Sequence, residues 1–386
     1  MTSGAPPAPV PVPLLDLKKQ YATIRDEVRP VLDEVCESQG FILGPRVDAF
    51  EKAIASYVGT RHAIGVSSGT DAQLAAMMAL GVGPGDDVVT SPYTFFASAG
   101  AVHRLGARAV FCDIDPETFN VDPGKLAGAI TPRTKAIQPV HLYGQCADMG
   151  AVGEVAKAKG IPVVEDACQS LGAAWGGAKA GSLGTFGAFS FFPSKNLGGF
   201  GDGGMVTTDD DSLAATVRAL RTHGETTRYH HSLVGGNFRL DALQAAVLHV
   251  KLPHLDGWAE ARRSNAAEIE ALYLEYGGLP FAEGGLKFPR EAAGCHHVFN
   301  QFVVRVGKGR RDALKEKLAA AQIGHAIYYP LPLHVQECFA PWGGKAGDFP
   351  EAERAASETL ALPVFPELAE GQKRFLAWTL ASFSRG

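Results

Sequence analysis

The stretch "FSFFPSKNLGGFGDGG", residues 189–204, sets Lys195 between an aromatic run and a block of glycines. Its second half matches G-x-G-x-x-G from Gly199 to Gly204, the spacing of a dinucleotide-binding turn. Such a turn follows a strand and opens a helix. Here the glycines lead into "GMVTT", residues 204–208, a run that reads as another strand. The match is therefore rejected as a dinucleotide fingerprint. The glycines are read as giving Lys195 room and letting the backbone bend sharply.

Outward from this stretch, short β-branched runs alternate with alanine-rich helical segments from about residue 45 to 250. The expected strands are "HAIGVS", "DDVVTS", "ARAVFCDI", "TKAIQPVHL", "IPVVEDA", "GAFSFF" and "GMVTT". Between them "DAQLAAMMALG", "FASAGAVHRLG" and "MGAVGEVAKAKG" read as helices, each closing on a glycine able to cap it. Repeated strand-helix-strand order predicts an α/β fold with a largely parallel sheet buried on both faces. After the long helical pattern of residues 237–276 the chain carries fewer strands and more proline. This places an extended arm at 1–12, a large domain at 13–250 and a smaller C-terminal domain at 251–386.

A chain of 386 residues with 46% hydrophobic and 20% charged residues can bury a sizeable core, and its net charge of -5 offers nucleic acid no basic footprint. Six cysteines without C-x-x-C spacing suit reduced thiols, and neither a zinc framework nor another metal site is expected. No apolar run reaches membrane-span length, and "MTSGAPPAPVPVP" lacks the charged and apolar regions of a signal peptide. A cytoplasmic protein is expected.

Four segments carry candidate chemistry, each beside a plainer reading. Lys195 is either a solvated loop charge or an amine desolvated into a nucleophile. In "VVEDACQS", residues 163–170, Asp166 ends a buried strand, where α/β sheets build their sites. It either caps a helix or pairs with a cationic ligand group, with Gln169 one turn on. Ser68, Gly69 and Thr70 precede a helix, which suits a phosphate and equally suits simple capping. Ser190 offers a further hydroxyl. In "SPYTFFAS", residues 91–98, Tyr93 and Phe95 are either core or a surface on which a planar ligand stacks. Together these make a phosphate cradle, a stacking ring, an acid for a ring nitrogen and a lysine for an aldehyde, which is what pyridoxal 5'-phosphate requires.

Over nearly its whole length, from "PLLDLKKQY" at Pro13 to "LPVFPEL" at Leu362, the sequence resembles the DegT/StrS family of sugar aminotransferases. "GTDA", "EDACQSLGA", "FSFFPSKNLGG", "NFRLDALQAAVL" and "YYPLPLH" occur in the family's order. The resemblance implies the fold-type I, aspartate aminotransferase-like architecture, with a mostly parallel seven-stranded sheet in the large domain and a smaller C-terminal α/β domain. It implies that Lys195 forms the Schiff base with the cofactor and that Asp166 keeps the pyridine nitrogen protonated. Gln169 would face the ring hydroxyl, Phe95 would stack on the ring, and Ser190 with Ser68, Gly69 and Thr70 would hold the phosphate. Asn237 would reach the phosphate of a neighbouring subunit in a homodimer with shared sites.

The implied reaction moves an amino group from L-glutamate, released as 2-oxoglutarate, to a nucleotide-linked keto sugar, most like the members that aminate a C3 ketone. Tyr93, Arg228, His230, Tyr329 and His334 are the expected substrate residues. Where uronate-specific members carry a His-Tyr pair, this chain has Tyr328-Tyr329, which speaks against a uronate. A family branch that dehydrates replaces the lysine with histidine, and Lys195 argues against it. A keto-inositol aminotransferase and a regulatory homologue without turnover are the alternatives.

Overall fold

The structure, a computed structural model, describes residues 6–386. All seven expected strands form, and they lie side by side in the order His62–Val66, Gly204–Thr208, Phe186–Ser190, Val164–Asp166, Thr134–Gln138, Asp87–Thr90 and Arg108–Phe111. Regular ladders divide them into sheets of four and three strands, joined by the parallel bridges Ile137–Val163 and Val140–Asp166. Gly204–Thr208 alone runs antiparallel to its neighbours. Six parallel strands bring their carboxyl ends to one edge, and the antiparallel strand begins there, with Gly204 opposite Val66 and Ser190. The segments singled out for chemistry therefore converge.

Period-two alternation sends neighbouring side chains to opposite faces. Ile64, Ala188 and Val206 pack with Ala72, Ala75 and Met77 of the helix Gly69–Ala79. Ala63, Phe189 and Met205 pack on the other face with Phe50, Ile54 and Leu248. Burying Phe186 and Phe189 contributes roughly 1.5–3 kcal/mol each. The helices Gly69–Ala79, Ala97–Arg104 and Met149–Lys159 each run into a glycine of positive φ, at Gly81, Gly106 and Gly160.

Towards the C-terminus, Leu286–Lys287, Phe302–Val306 and Thr359–Leu362 form an antiparallel sheet. It shares a second core with the helices Leu255–Glu275, Arg311–Ala320 and Glu370–Arg385. Val12 belongs to that core and bridges to Ile323. The helix Leu255–Glu275 serves both cores: Leu255 and Ala259 face the first, Ile269 and Leu272 the second. Among the described residues no helix is long and apolar enough to cross a membrane.

Candidate active site

At the carboxyl edge of the sheet a cavity of 430 Å³ opens. Its wall includes Ser68, Gly69, Thr70, Phe95, Asp166, Gln169, Ser190, Lys195 and Tyr329.

Lys195 follows the strand Phe186–Ser190 through a tight turn in which its amide donates to the Phe192 carbonyl, 2.8 Å. Burial holds its ammonium below the ordinary lysine range, and Asp166 and Cys168 pull the other way. The side chain is partly accessible through the mouth of the cavity. The glycines after it serve close packing. None of the glycines at 198–204 has a positive φ, so the expected bend needs no left-handed backbone. A Cβ on Gly198 would instead lie 2.1 Å from the Pro193 carbonyl oxygen, and one on Gly204 2.3 Å from that of Ser68.

Asp166 is buried at the end of its strand. The Ser98 hydroxyl donates to its Oδ2 at 2.6 Å, and the Cys168 amide makes a longer contact of 3.3 Å to Oδ1. Gln169 accepts from the Tyr143 amide, 2.8 Å, and donates to the Tyr329 hydroxyl, 3.0 Å. Burial raises the Tyr329 phenol above its ordinary range, so it enters the site as a neutral donor. The Phe95 ring is half exposed, 6.1 Å from that of Tyr329.

Ser68 is the N-cap of the helix Gly69–Ala79, accepting from the Asp71 amide at 3.0 Å. Its hydroxyl is thus engaged in capping. The amides of Gly69 and Thr70 open the helix and have no acceptor within it. Cys168, partly exposed with its Sγ beside Gly69, has its thiol pushed well above the ordinary range by desolvation, with Asp166 adding to the effect.

The remaining expected residues stand apart from this wall. Tyr93 is fully buried behind it, its hydroxyl donating to the Tyr328 carbonyl at 2.7 Å and accepting from the Tyr329 amide at 3.2 Å. It supports the tyrosine pair and has no surface to offer a substrate. The expectation that His334 lines the cavity is corrected: it is buried, paired with Glu353 at 3.0 Å and packed on Phe349. Arg228 and His230 are exposed on the hairpin formed by Glu225–Thr227 and His230–His231, and Asn237 is exposed just beyond it. Within one chain they do not reach the cavity wall.

The sequence reading passed over Thr94, Ser98, Gln73 and Gln301, and named Tyr328 only as half of a pair bearing on the choice of sugar. All but the buried Ser98 line the cavity. The i,i+4 spacing of Thr94 and Ser98 in "SPYTFFAS" was the available signal for that pair.

A lysine and a buried carboxylate on one cavity at the carboxyl edge of this seven-stranded sheet are the arrangement of the fold-type I class, to which aminotransferases belong. The chain belongs to the DegT/DnrJ/EryC1/StrS aminotransferase family, whose model matches residues 22–377. It is 50% identical to a protein of Geobacillus stearothermophilus named pleiotropic regulatory protein, over 97% of this chain and 99% of that one. It is 44% identical to a UDP-N-acetyl-3-dehydro-alpha-D-glucosamine 3-aminotransferase of Acidithiobacillus ferrooxidans, over 94% and 95% of the two chains. Among solved structures, DesV of S. venezuelae in complex with a ketimine intermediate superposes with a TM-score of 0.93, at 40% identity, over 97% of this chain and 99% of that one.

Proposed function

We propose that this enzyme is a pyridoxal 5'-phosphate-dependent aminotransferase that converts a nucleotide-linked 3-keto sugar to the amino sugar with L-glutamate as donor, releasing 2-oxoglutarate. The observation that carries this reading is the convergence on one cavity of Lys195, Asp166, Phe95, Gln169 and the open amides of Gly69 and Thr70. The residues fit the cofactor. Gly69 leaves a cradle that a Cβ would fill, 2.6 Å from the Ser190 Cβ, and an anionic group there meets a helix N-terminus. The Gln301 Oε1 is buried on the same wall without a hydrogen-bond partner.

When bound, the cofactor supplies an electron-withdrawing ring able to stabilise negative charge at the amino-bearing carbon. Gly69, Thr70 and Ser190 bind its phosphate, and Phe95 covers the ring face. Asp166 holds a proton at the ring nitrogen. Lys195, with its ammonium disfavoured by burial, offers its amine as nucleophile and, once free, as the group that carries a proton. The Tyr329 hydroxyl, fixed by Gln169, orients the substrate.

The sugar assignment rests on the Acidithiobacillus relative, which is named for the same 3-position chemistry. We further assign a homodimer in which Asn237, Arg228 and His230 serve the neighbouring site, supported by the exposure of Tyr229 and Val234 beside them. The domain division at residue 250 and a cytoplasmic location, the latter consistent with six free cysteines, belong to the same reading. A regulatory role without turnover has only names behind it, among them that of the Geobacillus relative. The presence of Lys195, Asp166 and Ser190 on one cavity speaks for catalysis.

The test is the visible absorption spectrum of the purified protein supplied with pyridoxal phosphate, before and after L-glutamate. A band that bleaches, followed by recovery with one UDP- or dTDP-linked 3-keto sugar, is expected. A band indifferent to glutamate would refute the donor, and no band would refute the cofactor.

A further inference from the structure

We propose that Ser98, itself held by Thr94, is the positioning residue that aims Asp166 at the cofactor's ring nitrogen and keeps the shared proton on the ring. This inference rests on the cofactor reading above and adds to it a residue with no contact to the ligand.

Three observations carry it. Ser98 is fully buried, and a serine at the start of a helix can satisfy its hydroxyl on a carbonyl one turn back. Its hydroxyl instead crosses 68 positions of sequence to Asp166 Oδ2, at 2.6 Å. Second, the direction of the chain of bonds follows from chemistry. A carboxylate only accepts, so the Ser98 proton is committed to Asp166, and the 3.0 Å contact between Thr94 Oγ1 and Ser98 Oγ must have Thr94 as donor. Thr94 to Ser98 to Asp166 is then a polarised series in which each bond strengthens the next. Third, Oδ2 is taken by Ser98 while Oδ1 has the longer Cys168 contact, so Oδ1 keeps capacity to accept from a ligand.

The effect has a definite sign. Ser98 can donate only to an Oδ2 that carries no proton, so the bond holds Asp166 in its accepting form. A proton shared between Asp166 and a ring nitrogen is thereby displaced towards the ring. The other titratable groups lining the cavity are Lys195, Cys168, Asp202, Tyr328 and Tyr329. The segment that carries Ser98 also carries Phe95, and the Ser98 amide donates to the Phe95 carbonyl at 3.2 Å. One turn of chain thus sets both the ring-covering side chain and the orientation of the acid.

The experiment compares wild type, Ser98→Ala and Thr94→Val, each loaded with pyridoxal phosphate, by the pH midpoint of the visible band and the single-turnover rate with L-glutamate. In Ser98→Ala the ring loses cationic character, the lysine-linked nitrogen becomes more basic, and the midpoint rises by about one pH unit. The rate falls about tenfold, the size of one hydrogen bond to a charged group. Thr94→Val keeps the shape and shifts both in the same direction by less, and it carries the test if Ser98→Ala does not fold. A Ser98→Thr variant that restores the midpoint supports the assignment. A midpoint unchanged in both variants overturns it while leaving the cofactor reading intact. A wild-type protein that takes up no pyridoxal phosphate overturns both.

Discussion

Gly69 and Ser190 approach so closely that a Cβ on residue 69 would lie 2.6 Å from the Ser190 Cβ, and 2.9 Å from the Cys168 Sγ. The first strand's exit loop and the end of the strand Phe186–Ser190 are pressed together at the helix start proposed to bind the phosphate. The Ser190 Cβ and, at 3.2 Å, its Cα are fixed to the backbone and cannot swing aside. Gly69→Ala is therefore expected to destabilise the protein by about 1–3 kcal/mol, the range for overpacking. It should also weaken pyridoxal phosphate binding at least tenfold, measured by thermal melting and cofactor titration.

Replacing Lys195 with alanine removes the nucleophile and a disfavoured cation together. Apoprotein melting should be unchanged or higher. Turnover should fall by roughly 10²–10⁴-fold or more, the contribution of a positioned proton carrier. Persistent transamination by this variant would remove the proposed mechanism.

Glu165, next to Asp166, is fully buried and saturated with donors. It accepts from the amides of Gly181, Leu183 and Gly184 at 2.7–2.8 Å and from His141 Nε2 at 2.9 Å. His141 Nδ1 accepts from the Ala147 amide, so Nε2 carries the proton. Glu165→Gln forces an NH2 against N–H donors whichever way the amide turns. Urea unfolding should show a loss of about 2–3 kcal/mol. Wild-type stability in this variant would mean the cluster relaxes without cost.

Lys251 is buried, donates to the Gly198 carbonyl on the loop after Lys195, and is held by burial at about 8, with Glu367 pulling upward. Its folded value lies below the ordinary 10.5, so between the two the unfolded chain binds more protons and stability rises with pH. The cost of the buried charge is complete below pH 8 and absent above 10.5. Relative to Lys251→Met, the wild type should gain up to about 3 kcal/mol across that window. Parallel pH–stability curves for the two proteins would show that Lys251 is not held uncharged.

Asn237 is exposed in a single chain, and the shared-site proposal makes a distinctive demand on it. Asn237→Asp and Lys195→Ala chains, each inactive as a homodimer, should regain roughly a quarter of wild-type activity when refolded together. Random pairing makes half the dimers hybrid, and each hybrid has one undamaged site. No recovery would mean that Asn237 serves the site of its own chain, or would deny the dimer.

The strands, their caps and the stretches that form the cavity were legible in the sequence, because period-two burial, β-branched runs and a glycine past a helix act over a few residues. Lys195, Asp166 and Gly69 stood out through their neighbours in the chain, and the family order of motifs reinforced them. Loop residues gave no such purchase. His334 and Tyr93 turn into the protein and Arg228 and His230 away from the cavity wall, and no periodicity in "YYPLPLH" or "RYHH" records a direction. The bond from Ser98 to Asp166 depended on strands distant in sequence becoming neighbours in the sheet, so that a buried hydroxyl found a carboxylate closer than its own helix. That choice belongs to the packing of the whole chain, where the cost of burying an unpaired polar group is settled by whichever partner the assembled sheet brings within reach.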